Sequence, residues 1–192
     1  MSTAVMMERI AEASPRFKAR IAGVFWLMTA LTGTLALVLR LGIATNLIAS
    51  ACYVAATLLV YELLKPVNRS LSLLAAFFSL LGCAIGALGG LFHLGLGGVH
   101  FVFFGLHCLL IGYLILRSTF LPRILGTMMA SSGLGWLTFS FSNLLLSPPL
   151  ARYLSPYVMG LGILGEVMLT VWLLVVGVNK QRWKEQASLA GR

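Results

Sequence analysis

Six apolar stretches recur along the chain, at roughly 20–40, 43–64, 70–92, 98–117, 120–146 and 155–178, with short polar breaks between them. The hydrocarbon core of a bilayer is about 30 Å thick and takes about 20 apolar residues in helix to cross. The strands of a membrane barrel would alternate apolar and polar over about ten residues, whereas these stretches are apolar on all sides. In lipid every backbone polar group must be satisfied internally, so the remaining spanning structure is the helix. The pattern therefore predicts an all-α, polytopic membrane protein, a bundle of six transmembrane helices. Its expected organisation is an amphipathic basic N-terminal arm over 1–19, the six-helix domain over 20–179 and a basic tail over 180–192.

The breaks carry turn chemistry. Pro66 and Asn68 mark a tight connection, and Ser118-Thr119-Phe120-Leu121-Pro122-Arg123 a second. Ser147-Pro148-Pro149 is expected to break the chain and begin the longest external loop. Short connections make successive helices antiparallel neighbours. Tyr61, Tyr153, Tyr157 and Trp183 fall near stretch ends, where an aromatic belt is expected.

Composition sharpens this picture. Of 192 residues 59% are hydrophobic and 10% charged, with a mean hydropathy of +0.97; soluble domains carry about 25% charged residues. The net charge of +9 invites a nucleic-acid partner, but its placement argues against one. Twelve of the 14 Lys and Arg fall on one side of the six-helix scheme, and Arg40 and Arg152 alone fall on the other. Positive residues mark the cytoplasmic side, so both termini are expected there, with membrane lipids rather than nucleic acid as partners. The arm ahead of the first stretch is polar and unlike a short secretory n-region. Cys52, Cys83 and Cys108 all fall inside apolar stretches and read as small packing residues.

Ionisable residues within a span are expensive and mark sites by default. Here they are Glu62, His93, His100, His107 and Glu166. Glu62, three residues before Lys65, is placed to pair with it. Glu166 sits about eleven residues into the sixth stretch, roughly 16 Å deep, and His107 about nine into the fourth, roughly 14 Å deep. Both stretches run the same way, so Glu166 and His107 lie at one level and are expected within hydrogen-bond reach, directly or through one water. His93, His100 and His107 are seven apart and nearly share a helix face. Each step rises about 10.5 Å, too far for ligands of one metal at roughly 2.1 Å each, so no metal and no cofactor is expected. Ser131, Ser132 and Asn143 read as interhelical hydrogen-bonding residues. Gly82, Gly86 and Gly90 form two small-xxx-small steps, the pattern of close helix packing, either within the chain or against another copy.

With those residues in view the chain resembles a bacterial family of six-helix membrane proteins called domain of unknown function 4386. The resemblance rests on Tyr61-Glu62-Leu63-Leu64-Lys65-Pro66-Val67-Asn68, on 102–114 around Gly105, His107 and Gly112, on Phe120-Leu121-Pro122-Arg123-Ile124-Leu125-Gly126, and on Gly165-Glu166 followed by Trp172-Leu173-Leu174 and Gly177-Val178-Asn179. Similar family members have longer external loops after the first and third helices. The resemblance implies six helices in a bacterial cytoplasmic (inner) membrane and points to Glu62, His107 and Glu166; it supplies no activity.

Three functions fit these features. The first is binding or transport of a small or lipid-like ligand through a midplane Glu/His pocket formed by Glu166 and His107, with Glu62 and His100 as further candidates. The second is a structural or accessory subunit, in a homo-oligomer or a larger membrane complex. The third is a membrane-embedded enzyme using the same pair as acid and base.

Overall fold

A computed structural model describes residues 14–39, 42–92 and 98–190. His93, Arg40 and most of the N-terminal arm lie outside the described residues. Among the described residues there are seven helices: α1 (Pro15–Leu39), α2 (Gly42–Leu64), α3 (Arg69–Leu91), α4 (Val99–Arg117), α5 (Arg123–Leu145), α6 (Pro148–Val175) and α7 (Lys180–Ala190). The segment from Ala44 to Leu64 in α2, together with α3, α4 and α6, is long and apolar enough to cross a membrane by length and composition. Helices α1 and α5 are as long, at 25 and 23 residues. They are more polar, α1 through Arg16, Lys18 and Arg20 in its first two turns and α5 through its Ser and Gly.

Two boundaries differ from the sequence expectation. Residues 15–19 are the first turn of α1, with Ser14 accepting hydrogen bonds from the Phe17 and Lys18 amides, rather than the end of a separate arm. Ser147-Pro148-Pro149 begins α6 instead of opening a long loop. Proline is tolerated in a first helical turn, where its missing N–H has no partner to lose. Helix α6 thus reaches 28 residues, and Pro156 sits inside it.

Successive helices pack side by side, and α1 closes the ring against α6. The inward faces are mixed. Leu114, Ile115, Met129, Leu169 and Leu173 are buried together with Thr57, Ser79, His107, Ser132 and Ser140. The polar groups find interhelical partners. Thr57 and Ser79 share a 2.6 Å hydrogen bond, Ser132 donates to the Gly162 carbonyl, and Ser140 donates to the Gly98 carbonyl at 2.8 Å. Large apolar side chains such as Leu58, Leu73, Phe77, Ile124, Leu134 and Val171 face outward. Apolar exposure on that scale needs an apolar surrounding, and the protein is a membrane protein.

The closest helix contacts lie between α4, α5 and α6. A Cβ added at Gly112 would stand 2.7 Å from the Ala130 amide nitrogen and 2.8 Å from the Gly126 carbonyl oxygen. One at Gly133 would stand 2.7 Å from the Gly105 carbonyl oxygen, and one at Gly135 2.7 Å from the Gly162 nitrogen. Backbones meet here with nothing between them, the packing that small residues permit in membranes.

One end of the bundle gathers the basic residues. Arg16 and Arg20 donate to the Val176 and Val175 carbonyls at the end of α6, where a cation complements the helix dipole. Gly177, at φ +75°, ends that helix in a left-handed turn, and the Asn179 carboxamide oxygen caps α7 by accepting from the Gln181 and Arg182 amides. Helix α7 then lies against the bundle, with the Trp183 indole donating to the Leu63 carbonyl at 2.8 Å.

Candidate functional site

Glu166 occupies the interior of the ring. Nine residues separate it from Val175 at the end of α6, or roughly 14 Å of helix. His107 is ten residues from Arg117 at the end of α4, or roughly 15 Å. The two therefore sit at one level above the basic end. The Glu166 carboxyl is held by two tryptophans. The Trp26 indole N–H donates to Oε2 at 3.1 Å and the Trp136 indole N–H to Oε1 at 2.6 Å. The Cys108 thiol lies 3.8 Å from Oε1. Four helices, α1, α4, α5 and α6, thus converge on one carboxyl group.

His107 takes a different partner. Its Nδ1 is 2.8 Å from the Ala75 carbonyl oxygen and so carries the proton it donates there, while Nε2 is buried with no hydrogen-bond partner. No hydrogen bond joins His107 to Glu166. The Trp26 ring, which contacts the imidazole at a centroid distance of 6.5 Å, links the two instead. Of the expected Glu–His pair, directly or through one water, the direct form is absent, because equal depth does not fix helix rotation. Here α4 turns Cys108 towards Glu166 and turns His107 towards α3.

A cavity of about 500 Å³ adjoins the carboxyl. Its wall includes Trp26, Tyr53, Phe101, Phe104, Trp136 and Glu166. It extends from Glu166 towards the end of the bundle opposite the basic one, past Gly33, Asn46 and Gly86. Aromatic edges build much of the lining. Phe101 stacks on Trp136 at 4.9 Å and 9°, and Tyr53 meets Phe104 edge-on at 5.0 Å and Trp26 at 5.9 Å. The Tyr53 hydroxyl, 6% exposed as a residue, has no hydrogen-bond partner. A buried hydroxyl without a partner is costly, and the Tyr53 residue is part of the cavity wall.

The remaining sequence candidates separate. His100 is in the cavity wall, with its ring 4.1 Å from that of Phe101. Gly82 and Gly86 line the same wall beside His100. A Cβ at Gly82 would stand 3.3 Å from the His100 carbonyl oxygen, and one at Gly86 3.7 Å from the His100 ring, an ordinary contact. Gly90 is exposed. Glu62 is elsewhere, at the basic end, with both oxygens 2.8 Å from Lys65 Nζ and Lys18 at 3.7 Å. A second cavity of about 620 Å³ at that end is bordered by Arg16, Trp172, Lys180 and Arg182, and none of the sequence candidates lines it. Among the described residues no three His, Cys, Asp or Glu are grouped closely enough to hold a metal ion.

The family described as "Domain of unknown function (DUF4386)" matches residues 29–100 and 96–177. The chain belongs to the DUF4386 family. An uncharacterized protein of Archaeoglobus fulgidus is 28% identical over 132 residues, covering 61% of this chain and 72% of that protein. No solved structure matches the chain.

The DUF4386 match takes in Tyr53, His107, Cys108, Trp136 and Glu166, while Trp26 and α7 lie outside the matched residues. Trp26, Tyr53, Cys108 and Trp136 are the site residues that counting ionisable groups overlooks. A signal for two of them is present in the sequence. Trp26 and Trp136 lie far inside their helices rather than at a membrane interface, and a buried indole N–H needs an acceptor. With one carboxyl at that depth, Glu166 is the acceptor to name.

Proposed function

We propose that this protein binds, and in the simplest case carries, a small lipid-like molecule in the cavity beside Glu166. The observation that carries the reading is a carboxyl fixed by two indoles in an otherwise largely apolar wall, next to a buried tyrosine hydroxyl without a partner. Ligand sites are typically cavities of about 300–1,000 Å³ with mostly apolar walls and a few convergent polar groups. Acid–base catalysis by Glu166 and His107 is less well supported. The imidazole is outside the cavity wall and makes no bond to the carboxyl.

Native mass spectrometry in mild detergent tests the reading. Wild type is expected to retain a small hydrophobic adduct. Gly86→Leu is expected to lose it, because a side chain there runs past His100 into the cavity. The same adduct on both proteins would reject a ligand in this cavity and favour an accessory subunit.

The same proposal places six spans, α1 to α6, in the cytoplasmic membrane of a bacterium, with both termini cytoplasmic. The clustering of Arg16, Lys18, Arg20, Lys65, Arg69, Arg123 and the basic residues of α7 at one end supports that orientation, and the cavity would then open towards the outer half of the membrane. A cysteine at Arg152, which is exposed, is expected to react with an impermeant maleimide from outside, and a reporter after Arg192 to read cytoplasmic. A C-terminus outside the cell would remove the six-span scheme.

A further inference from the structure

We propose that the ligand is a lipophilic organic cation whose positive centre is held by Glu166 among the aromatic rings. This rests on the cavity being a ligand site and adds the charge of the occupant. Every polar contact of the carboxyl is with a donor. Two are indole N–H groups, which cannot accept, and the third is the Cys108 thiol. Both oxygens are therefore presented as acceptors. Among the described residues of the wall there is no Lys or Arg. His100, the imidazole in that wall, makes no hydrogen bond to Glu166, and its nearest ring neighbours are Phe101 and Phe104. The described residues of the wall thus supply donors but no counter-charge to an ionised Glu166, and a cationic occupant would provide it.

The rest of the wall suits such an occupant. The faces and edges of Trp26, Tyr53, Phe101, Phe104 and Trp136 surround the space beside the carboxyl. Aromatic faces attract ammonium and other organic cations through the ring quadrupole, most strongly when water is excluded. An anion would meet the carboxylate directly. A hard metal ion would find one carboxyl where such ions take about six to eight oxygens. A lipophilic cation satisfies the carboxyl, the rings and the apolar remainder together.

The test compares tetraphenylphosphonium with tetraphenylborate, which share a shape and differ in the sign of their charge. Equilibrium dialysis uses the full chain purified in a non-ionic detergent. Tetraphenylphosphonium is expected to bind wild type saturably and Glu166→Gln at least about tenfold more weakly, the scale expected for removing one desolvated charge from beside a bound cation. Tetraphenylborate is expected to show no saturable binding. Should Glu166→Gln fail to fold, Gly86→Leu keeps the carboxyl and blocks the space, and must abolish tetraphenylphosphonium binding. Equal binding of the two ions, or cation binding indifferent to both substitutions, overturns the proposal. Absence of cation binding while a neutral adduct is retained in wild type and lost in Gly86→Leu overturns the charge assignment and leaves the cavity as a ligand site. Failure of both the cation and the adduct to bind would remove the ligand site itself.

Discussion

Gly112→Leu is expected to prevent α4 and α5 from docking, and so to abolish the folded bundle or lower its melting temperature sharply in detergent. Even the first added carbon would stand 2.7 Å from the Ala130 nitrogen and 2.8 Å from the Gly126 carbonyl oxygen. Neither atom can step aside, because each belongs to the backbone of α5. The two helices would have to separate. Gly105 and Gly133 sit two turns away on the same helices and meet in the same manner, so tilting about one contact strains the other. Overpacking of a well-packed core costs about 1–3 kcal/mol and sometimes more, and a rigid neighbour belongs at the upper end. Gly160→Ala in α6 is the control. Nothing lies within 4 Å of a Cβ there, and alanine gains up to about 1 kcal/mol of helix propensity over glycine. Thermal unfolding of the purified variants reads both. An unchanged transition for Gly112→Leu would show that the two helices do not touch in the membrane.

That contact explains where sequence reading succeeds and where it stops. Apolar length and the placement of Lys and Arg locate the long helices to within a few residues, except at the start of α6, because both express the solvent rather than any particular neighbour. The prolines at 148–149 mislead because their meaning depends on position. The residue that breaks a helix from inside is well suited to begin one, and the pattern alone does not say which side of the boundary it is on. The four-residue step of Gly82, Gly86 and Gly90 is the familiar sign of close packing. Close backbone approaches between α4 and α5 use seven-residue steps, Gly105 to Gly112 facing Gly126 to Gly133. Seven residues are nearly two turns and return to the same face, so that signal is equally present in the sequence. Depth is also legible. Glu166 and His107 do share a level. Rotation is not, since one residue's difference on α4 decides whether His107 or Cys108 points at the carboxyl, and the flanking residues are apolar on every side. An all-round apolar helix carries no stripe from which its facing could be read.

Glu166→Ala is expected to destabilise the bundle although it removes a carboxyl from an apolar setting. The reason is what remains. The Trp26 and Trp136 indoles would each keep a donor with no acceptor, and an orphaned buried donor costs about 1–3 kcal/mol. Interhelical hydrogen bonds measured in membranes average nearer about 0.6 kcal/mol, with a maximum of about 1.7, because the unfolded helices find partners too. Two such bonds place the loss at about 1–3 kcal/mol. The origin of the loss is separable. If orphaned donors cause it, replacing both indoles and the carboxyl together, as Trp26→Phe, Trp136→Phe and Glu166→Leu, should cost less than the sum of the single changes, since no donor is then left behind. Pairwise cycles should rank the couplings. Glu166 with Trp136, in contact at 2.6 Å, should couple strongly, within the range of about 0.5–3 kcal/mol seen for contacting groups. Glu166 with His107, which communicate through the Trp26 ring, should couple less. Unfolding in mixed micelles measures each variant. Equal coupling of Glu166 to His107 and to Trp136 would mean that the imidazole reaches the carboxyl after all, and that the two form a proton-sharing pair instead of a carboxyl dedicated to its indoles and its ligand.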